Sequence, residues 1–402
     1  MKNNNNKYSI MTLILLWSGL VIVSSMYVTI PLTTVFTDTF HVTANQAAWI
    51  GSSFSLCYAI GCLLYGPFSD KYGRKIFLAS SISALAIVSF IIGFIDHFSG
   101  LVVLRALEGL IAAAFAPISF VYAAEMFPPE KRLTAVGFIS SGLLMASVVG
   151  QVFSGAVNHA YGWHAIFTIL GVVYLVSSLL VIFYLPKDDI PRSQGSVTAQ
   201  FKQTKLLFRN GQLMMIYIIT FTLLLSLVGM YSVLGNYLAS PEWGLSAQQI
   251  LWVRAFGIIG MLLSPFAGRI AGKLGNGLMF RGSLVLSVAG LVGLGFSHNL
   301  PMLIVTTVLF VAGIALITPI SITLINQLAG AAKGSAISFN AFILFLGAST
   351  GPSAALYLMS RVSYQSAFEW LSLFMAAGFV ISLFIKTSPG QTEAMSSVKQ
   401  VS

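Results

Sequence analysis

Charge is what this chain has least of: Asp, Glu, Lys and Arg make up only 8% of its 402 residues, where a water-soluble domain carries about 25%. With 57% of the residues hydrophobic, a soluble fold would have too little polar surface to cover its exterior. Cysteine is equally sparse. Cys57 and Cys62 lie in one apolar stretch, five apart, a spacing that does not bring two side chains face to face on a helix. They read as small packing residues, which excludes a disulfide framework and a cysteine metal site. Walker loops, nucleophile elbows and metal-ligand spacings are also missing, so no enzyme activity, no cofactor and no metal is expected. The first apolar run is too long for a cleavable signal peptide, and no small-residue cleavage site follows it. Acids are fewer than bases, 11 against 21, for a net charge of +10. That excess does not point to nucleic acid, because the basic residues fall in short segments between apolar runs, where membrane topology wants them.

What the chain has in abundance is long apolar runs. They fall near 9–31, 45–66, 76–95, 99–124, 133–157, 164–185, 212–237, 249–271, 277–297, 301–326, 335–359 and 366–386. A spanning helix needs about 20 residues, so the length is used up by twelve spans, with no room for a large soluble domain. The expected fold class is an all-α membrane protein of twelve transmembrane helices. With the N-terminus inside, Lys71, Arg74, Lys75, Lys131, Arg132, Arg269, Lys273, Arg281 and Lys333 all fall on the cytoplasmic side, and the outer loops keep only Arg361. This one-sidedness predicts a multi-pass protein of the cell (cytoplasmic) membrane with both termini cytoplasmic. The longest polar interval, 186–211, reads as a cytoplasmic linker with an amphipathic helix near 198–209. It divides the chain into an N-terminal six-helix bundle over 1–185 and a C-terminal one over 212–388, followed by a tail over 389–402.

The two halves repeat. Thr43-Ala44-Asn45-Gln46 opens span two and Ser246-Ala247-Gln248-Gln249 opens span eight, both patterned as capping boxes. Trp49 and Trp252 follow at equal spacing, Gly66 and Gly73 match Gly268 and Gly275, and Pro117-Ile118-Ser119 matches Pro319-Ile320-Ser321. Four matches in register indicate a parallel repeat, that is, two bundles related by an axis along the membrane normal.

Between spans two and three stands Gly66-Pro67-Phe68-Ser69-Asp70-Lys71-Tyr72-Gly73-Arg74-Lys75. It reads as a loop in which Gly66 and Gly73 allow a tight turn and Asp70 can pair with Arg74. The segment resembles the signature loop of the major facilitator superfamily, Gly-x-x-x-Asp-x-x-Gly-Arg-Lys, and the match is complete. Together with the twelve spans and the repeat, the resemblance extends over nearly the whole chain. It implies a cytoplasmic latch built from Asp70 and Arg74, with Glu125 and Arg132 near by. The second-half equivalents of the latch are Gly272 and Asn276, so it is one-sided.

Span four carries Arg105-Ala106-Leu107-Glu108-Gly109. A charge in hydrocarbon costs at least about 2.5–3.5 kcal/mol, so each needs a partner or a wet cavity. Arg105 and Glu108, three apart, can pair on one helix face. Burial favours the protonated acid and Arg105 the carboxylate, a balance that suits proton exchange. The run resembles the Arg-x-x-x-Gly motif of the superfamily's drug–proton antiporters, with Glu108 where Gln is usual. The glycines of span five, Gly142, Gly150 and Gly155, partly match the exporters' Gly-Pro-rich stretch. The expected partners are therefore protons, lipid and a small-molecule substrate, and the protein is expected to act as a monomer. Candidate substrate-facing residues are Tyr27, Tyr58, Phe115, Tyr122, Met145, Gln151, Met230, Tyr231, Asn236, Asn326, Asn340 and Phe345. Aromatic and thioether walls with few polar anchors suit a lipophilic compound. A permease or exporter of one polar metabolite, such as a sugar, amino acid or organic acid, is the alternative on the same scaffold.

Overall fold

The computed structural model describes residues 2–188 and 209–386. Most of the helix expected near 198–209, and all of the 389–402 tail, lie outside the described residues. Within them, twelve helices are long and apolar enough to cross a membrane. We number them α1 (Asn6–Phe40), α2 (Asn45–Tyr72), α3 (Arg74–Ile92), α4 (Phe98–Met126), α5 (Pro129–Tyr161), α6 (Trp163–Tyr184), α7 (Gly211–Ala239), α8 (Ala247–Leu274), α9 (Asn276–Gly295), α10 (Leu300–Leu328), α11 (Lys333–Met359) and α12 (Tyr364–Leu383). Large apolar side chains such as Phe94, Phe183 and Val103 stay 66–78% exposed. On a water-soluble protein so much exposed apolar surface would be a liability; against lipid it is the ordinary outer face.

Helix starts are set by local chemistry. The Thr43 hydroxyl accepts from the Gln46 amide at 3.3 Å, while the Gln46 side chain accepts from the Thr43 amide at 2.9 Å. Ser246 and Gln249 repeat the arrangement with the same two distances. Gly73 and Gly275, which precede α3 and α9, share a backbone that L side chains avoid (φ 106° and 82°, ψ 143° and 151°). Replacing Thr43 by Ala is expected to lower stability by about 1 kcal/mol, and Ser246→Ala by a like amount. Thermal unfolding in detergent checks both; unequal losses would argue against equivalent caps.

The repeat extends to packing. In the first half α2 packs on α4, α3 on α6 and α1 on α6; in the second, α8 packs on α10, α9 on α12 and α7 on α12. The result is two six-helix bundles. Glycines make close seams in each. A Cβ at Gly142 or Gly150 would strike the carbonyls of Leu16 or Ser24 on α1, and one at Gly347 or Gly351 those of Phe221 or Leu225 on α7. Two compact units divide the chain: Met1–Phe127, Gly142–Thr204 and Gly334–Phe342 form one, and Pro128–Ser141, Lys205–Lys333 and Ile343–Ser402 the other. Each unit thus gains a short helix segment from the opposite half of the sequence. The two exchanged segments obey the repeat, since 202 residues before Gly334–Phe342 lies 132–140, inside Pro128–Ser141.

Candidate functional site

Helix α4 buries Leu101, Arg105, Glu108, Gly109 and Ala112, spaced as a single helical face. Gly109 allows the helix to lie directly on α2, because a Cβ there would strike the carbonyl of Phe54. Arg105 and Glu108 are both fully buried. Arg105 Nη1 donates to Glu108 Oε2 at 2.6 Å and to Ser25 Oγ at 2.8 Å, and Nη2 donates to the Ser25 carbonyl at 2.7 Å. Its Cζ lies 4.3 Å from the centre of the Phe54 ring and 5.6 Å from that of Phe167. The other carboxylate oxygen of Glu108 accepts from Ser25 Oγ at 2.8 Å and Ser89 Oγ at 3.1 Å. Side chains of α1, α2, α3, α4 and α6 therefore meet at one ion pair, inside the first bundle. The ion pair was legible in the sequence. Ser25 and Ser89 were not, since buried serine is common in these spans and only the fold tells which of them reach Glu108.

The second constellation sits where α2 meets α3. The expected loop is shorter than the motif: α2 continues through Pro67 to Tyr72, and Gly73 alone breaks the helix. Gly66 is thus no turn residue. It is buried within α2, where a Cβ would strike Ser338 Oγ and stand 2.8 Å from the Gly334 carbonyl. Arg74 is 6% exposed. It grips Glu125 with two parallel bonds, Nε to Oε2 at 3.1 Å and Nη2 to Oε1 at 3.0 Å, the strong bidentate form. Its Nη1 donates to Ser69 Oγ at 2.6 Å, and Nη2 pairs with Asp70. The Asp70 carboxylate in turn lies against the first turn of α11, where a Cβ on Gly334 would stand 2.5 and 2.7 Å from its oxygens. A negative charge is favoured at a helix start. Arg132 opens α5 in the segment that belongs to the second unit, whereas Asp70, Arg74 and Glu125 belong to the first.

The candidate substrate residues scatter. Tyr58 and Phe115 are fully buried in the first unit, Tyr58 with its ring 5.9 Å from that of Phe54. Tyr27 is half-buried on α1. Tyr122 donates to the Pro186 carbonyl at 2.8 Å, which turns it toward the chain leaving α6. Gln151 is buried and donates to the Ser147 carbonyl of its own helix. Asn236 is exposed and does the same to Ser232 at 2.9 Å. Asn340, Met230 and Phe345 are buried, and Met145 and Asn326 half-buried. Tyr231 is buried on α7 and its backbone carbonyl accepts from Arg254 Nη2 of α8 at 2.8 Å. Arg254 fits because Gly235 leaves its side-chain position empty for the guanidinium.

Two repeated six-helix bundles, a sequestered ion pair and a charged helix junction define a polytopic membrane protein of the carrier type. Comparison with known proteins gives the family. The sequence matches the Major Facilitator Superfamily over residues 15–240 and 220–400, and the chain belongs to that family of transporters. It is 25% identical over 387 residues to an uncharacterised transporter of Buchnera aphidicola subsp. Schizaphis graminum, covering 96% of this chain and 93% of that protein. It is 22% identical to the multidrug resistance protein MdtG of Proteus mirabilis, covering 92% and 94%. Among solved structures, the human organic anion transporter MFSD10 (TETRAN) superposes with a TM-score of 0.77 at 16% identity, covering 93% of this chain and 99% of that one.

Proposed function

We propose that this transporter exports small lipophilic organic compounds across the bacterial cytoplasmic membrane, driven by protons that enter through Glu108. One observation carries the proposal: Glu108 is a fully buried carboxylate inside an apolar span, held by one cation and two hydroxyls. A hydroxyl can turn from donor to acceptor, so Ser25 and Ser89 can serve the acid as well as the carboxylate. Arg105 supplies the countercharge. Protonation weakens the Arg105 pair, and a change in that contact is felt by the five helices that meet there. The two bundles then alternate access to a site near the midplane, and the Asp70–Arg74–Glu125 latch holds one of the two states. Domain limits at 1–185, 186–211, 212–388 and 389–402, with both termini cytoplasmic and a monomeric protein, complete the proposal. Relatives named as multidrug resistance proteins, at 22% identity, support export.

The second reading, a transporter of one organic acid, draws on Arg254, a guanidinium set within α8 against α7. Proteoliposomes with an imposed pH gradient, given ethidium, rhodamine and a panel of organic acids, separate the two. Uphill movement of several unrelated dyes supports export of lipophiles, and uphill movement of a single acid supports the second reading. In the same vesicles Glu108→Gln is expected to abolish accumulation against a gradient while leaving downhill exchange. Undiminished accumulation by the variant would remove Glu108 from the proton path.

A further inference from the structure

By its own sequence α3 begins poorly. Gly73 occupies the N-cap position and offers no side chain, and the first turn holds Arg74 and Lys75 with no acid. The first amides of a helix need acceptors, and positive charge there opposes the helix dipole. Both deficits are met from elsewhere. Asp188, 114 residues further on, accepts from the Arg74 amide through Oδ2 at 2.6 Å, and from the Lys75 amide through Oδ1 at 3.3 Å. Gly73 admits it: a Cβ there would stand 3.2 Å from Asp188 Oδ2. Two neighbouring bonds hold the same stretch of chain. Tyr122 donates to the Pro186 carbonyl at 2.8 Å, and Lys75 Nζ to the Ile182 carbonyl at 2.7 Å. The second half has the same glycine backbone at Gly275, but a Cβ there meets nothing within 4 Å among the described residues.

We propose that Asp188 is a positioning residue of the latch. It caps α3 from a distance, fixes the backbone from which Arg74 reaches Asp70 and Glu125, and pins the start of the central linker to the first bundle. Among the described residues this carboxylate cap is seen at the α2–α3 junction, where it ties the junction to the start of the linker. The proposal concerns the latch of the transport reading above, yet its test needs no transported compound, so the two can fail separately.

The test is hydrogen exchange of the Arg74 and Lys75 amides in the full-length protein in nanodiscs, with a nitroxide at K187C reporting the linker. Asp188→Ala is expected to speed exchange of those two amides about five- to tenfold and to free the nitroxide. Asp188→Asn keeps one acceptor oxygen in place of the two that serve the Arg74 and Lys75 amides, and is expected to fall between the parent and Asp188→Ala on both readouts. Gly73→Ala, which crowds Asp188 at 3.2 Å and strains the backbone at φ 106°, is expected to speed exchange of the same two amides. Unchanged exchange in Asp188→Ala overturns the proposal.

Discussion

Arg105→Met is expected to destabilise the protein by about 3–5 kcal/mol, the cost of leaving one member of a buried pair without the other. The environment leaves little room for relief. Arg105 and Glu108 have no solvent exposure, and after the substitution Glu108 keeps only the hydroxyls of Ser25 and Ser89. The arginine also fills space between the rings of Phe54 and Phe167, so part of the loss is packing. Replacing both members, Arg105→Met with Glu108→Met, is expected to recover most of the stability, because well-packed apolar pairs often equal or exceed buried ion pairs. Thermal unfolding of the parent, Arg105→Met, Glu108→Met and the double variant gives the coupling directly. The double variant also separates structure from transport. If the pair only joins five helices, a stable double variant still accumulates substrate uphill. If it carries the proton, the double variant folds, exchanges substrate downhill and accumulates nothing. A double variant no more stable than Arg105→Met would show that the charges themselves are not what the bundle depends on.

Most of the fold could be read in the sequence because lipid imposes a simple rule. A span must be apolar for about 20 residues, and twelve apolar runs became twelve helices. The ends were less legible. Hydropathy marks where polar residues begin, but a helix continues until its amides or carbonyls find other partners. The run ending at residue 66 thus became a helix ending at Tyr72, and the run ending near 31 continues through a short 3₁₀ turn at Ile30–Leu32 to Phe40. The ion pair was legible because charge in an apolar run has few permissible explanations. Its serines, the Asp188 cap and the contact of Asp70 with Gly334 were not, because they join residues 83, 19, 114 and more than 260 positions apart. No local pattern marks such pairs. The substrate wall was the least legible of all. Aromatic residues in spans serve helix packing as readily as binding, and Tyr122, turned to the Pro186 carbonyl, shows the packing use.

Arg74→Ala should disturb the protein through charge more than through packing. In the native arrangement one guanidinium, 6% exposed, sits between two carboxylates that are about a fifth exposed, Asp70 and Glu125. Removing it deletes the bidentate bond to Glu125 and the bond to Ser69, and leaves two like charges at the α2–α3 junction. A fully buried pair broken in this way costs about 3–5 kcal/mol; partial exposure screens it to roughly 2–3 kcal/mol. Asp70 keeps its place at the start of α11, and under the latch proposed above the loss falls on the transport state that the latch closes. On that scale the equilibrium between states shifts roughly 30- to 150-fold, enough to reverse a balanced pair. Arg74→Lys retains the charge but not the planar fork, and is expected to fall between the two. The measurement is the rate at which a cysteine on either side of the membrane reacts with an impermeant maleimide, taken in cells for the three proteins. Parent-like rates on both sides for Arg74→Ala would mean that Arg74 merely holds its segment at the membrane face, as any basic residue could, and that the latch plays no part in choosing between states.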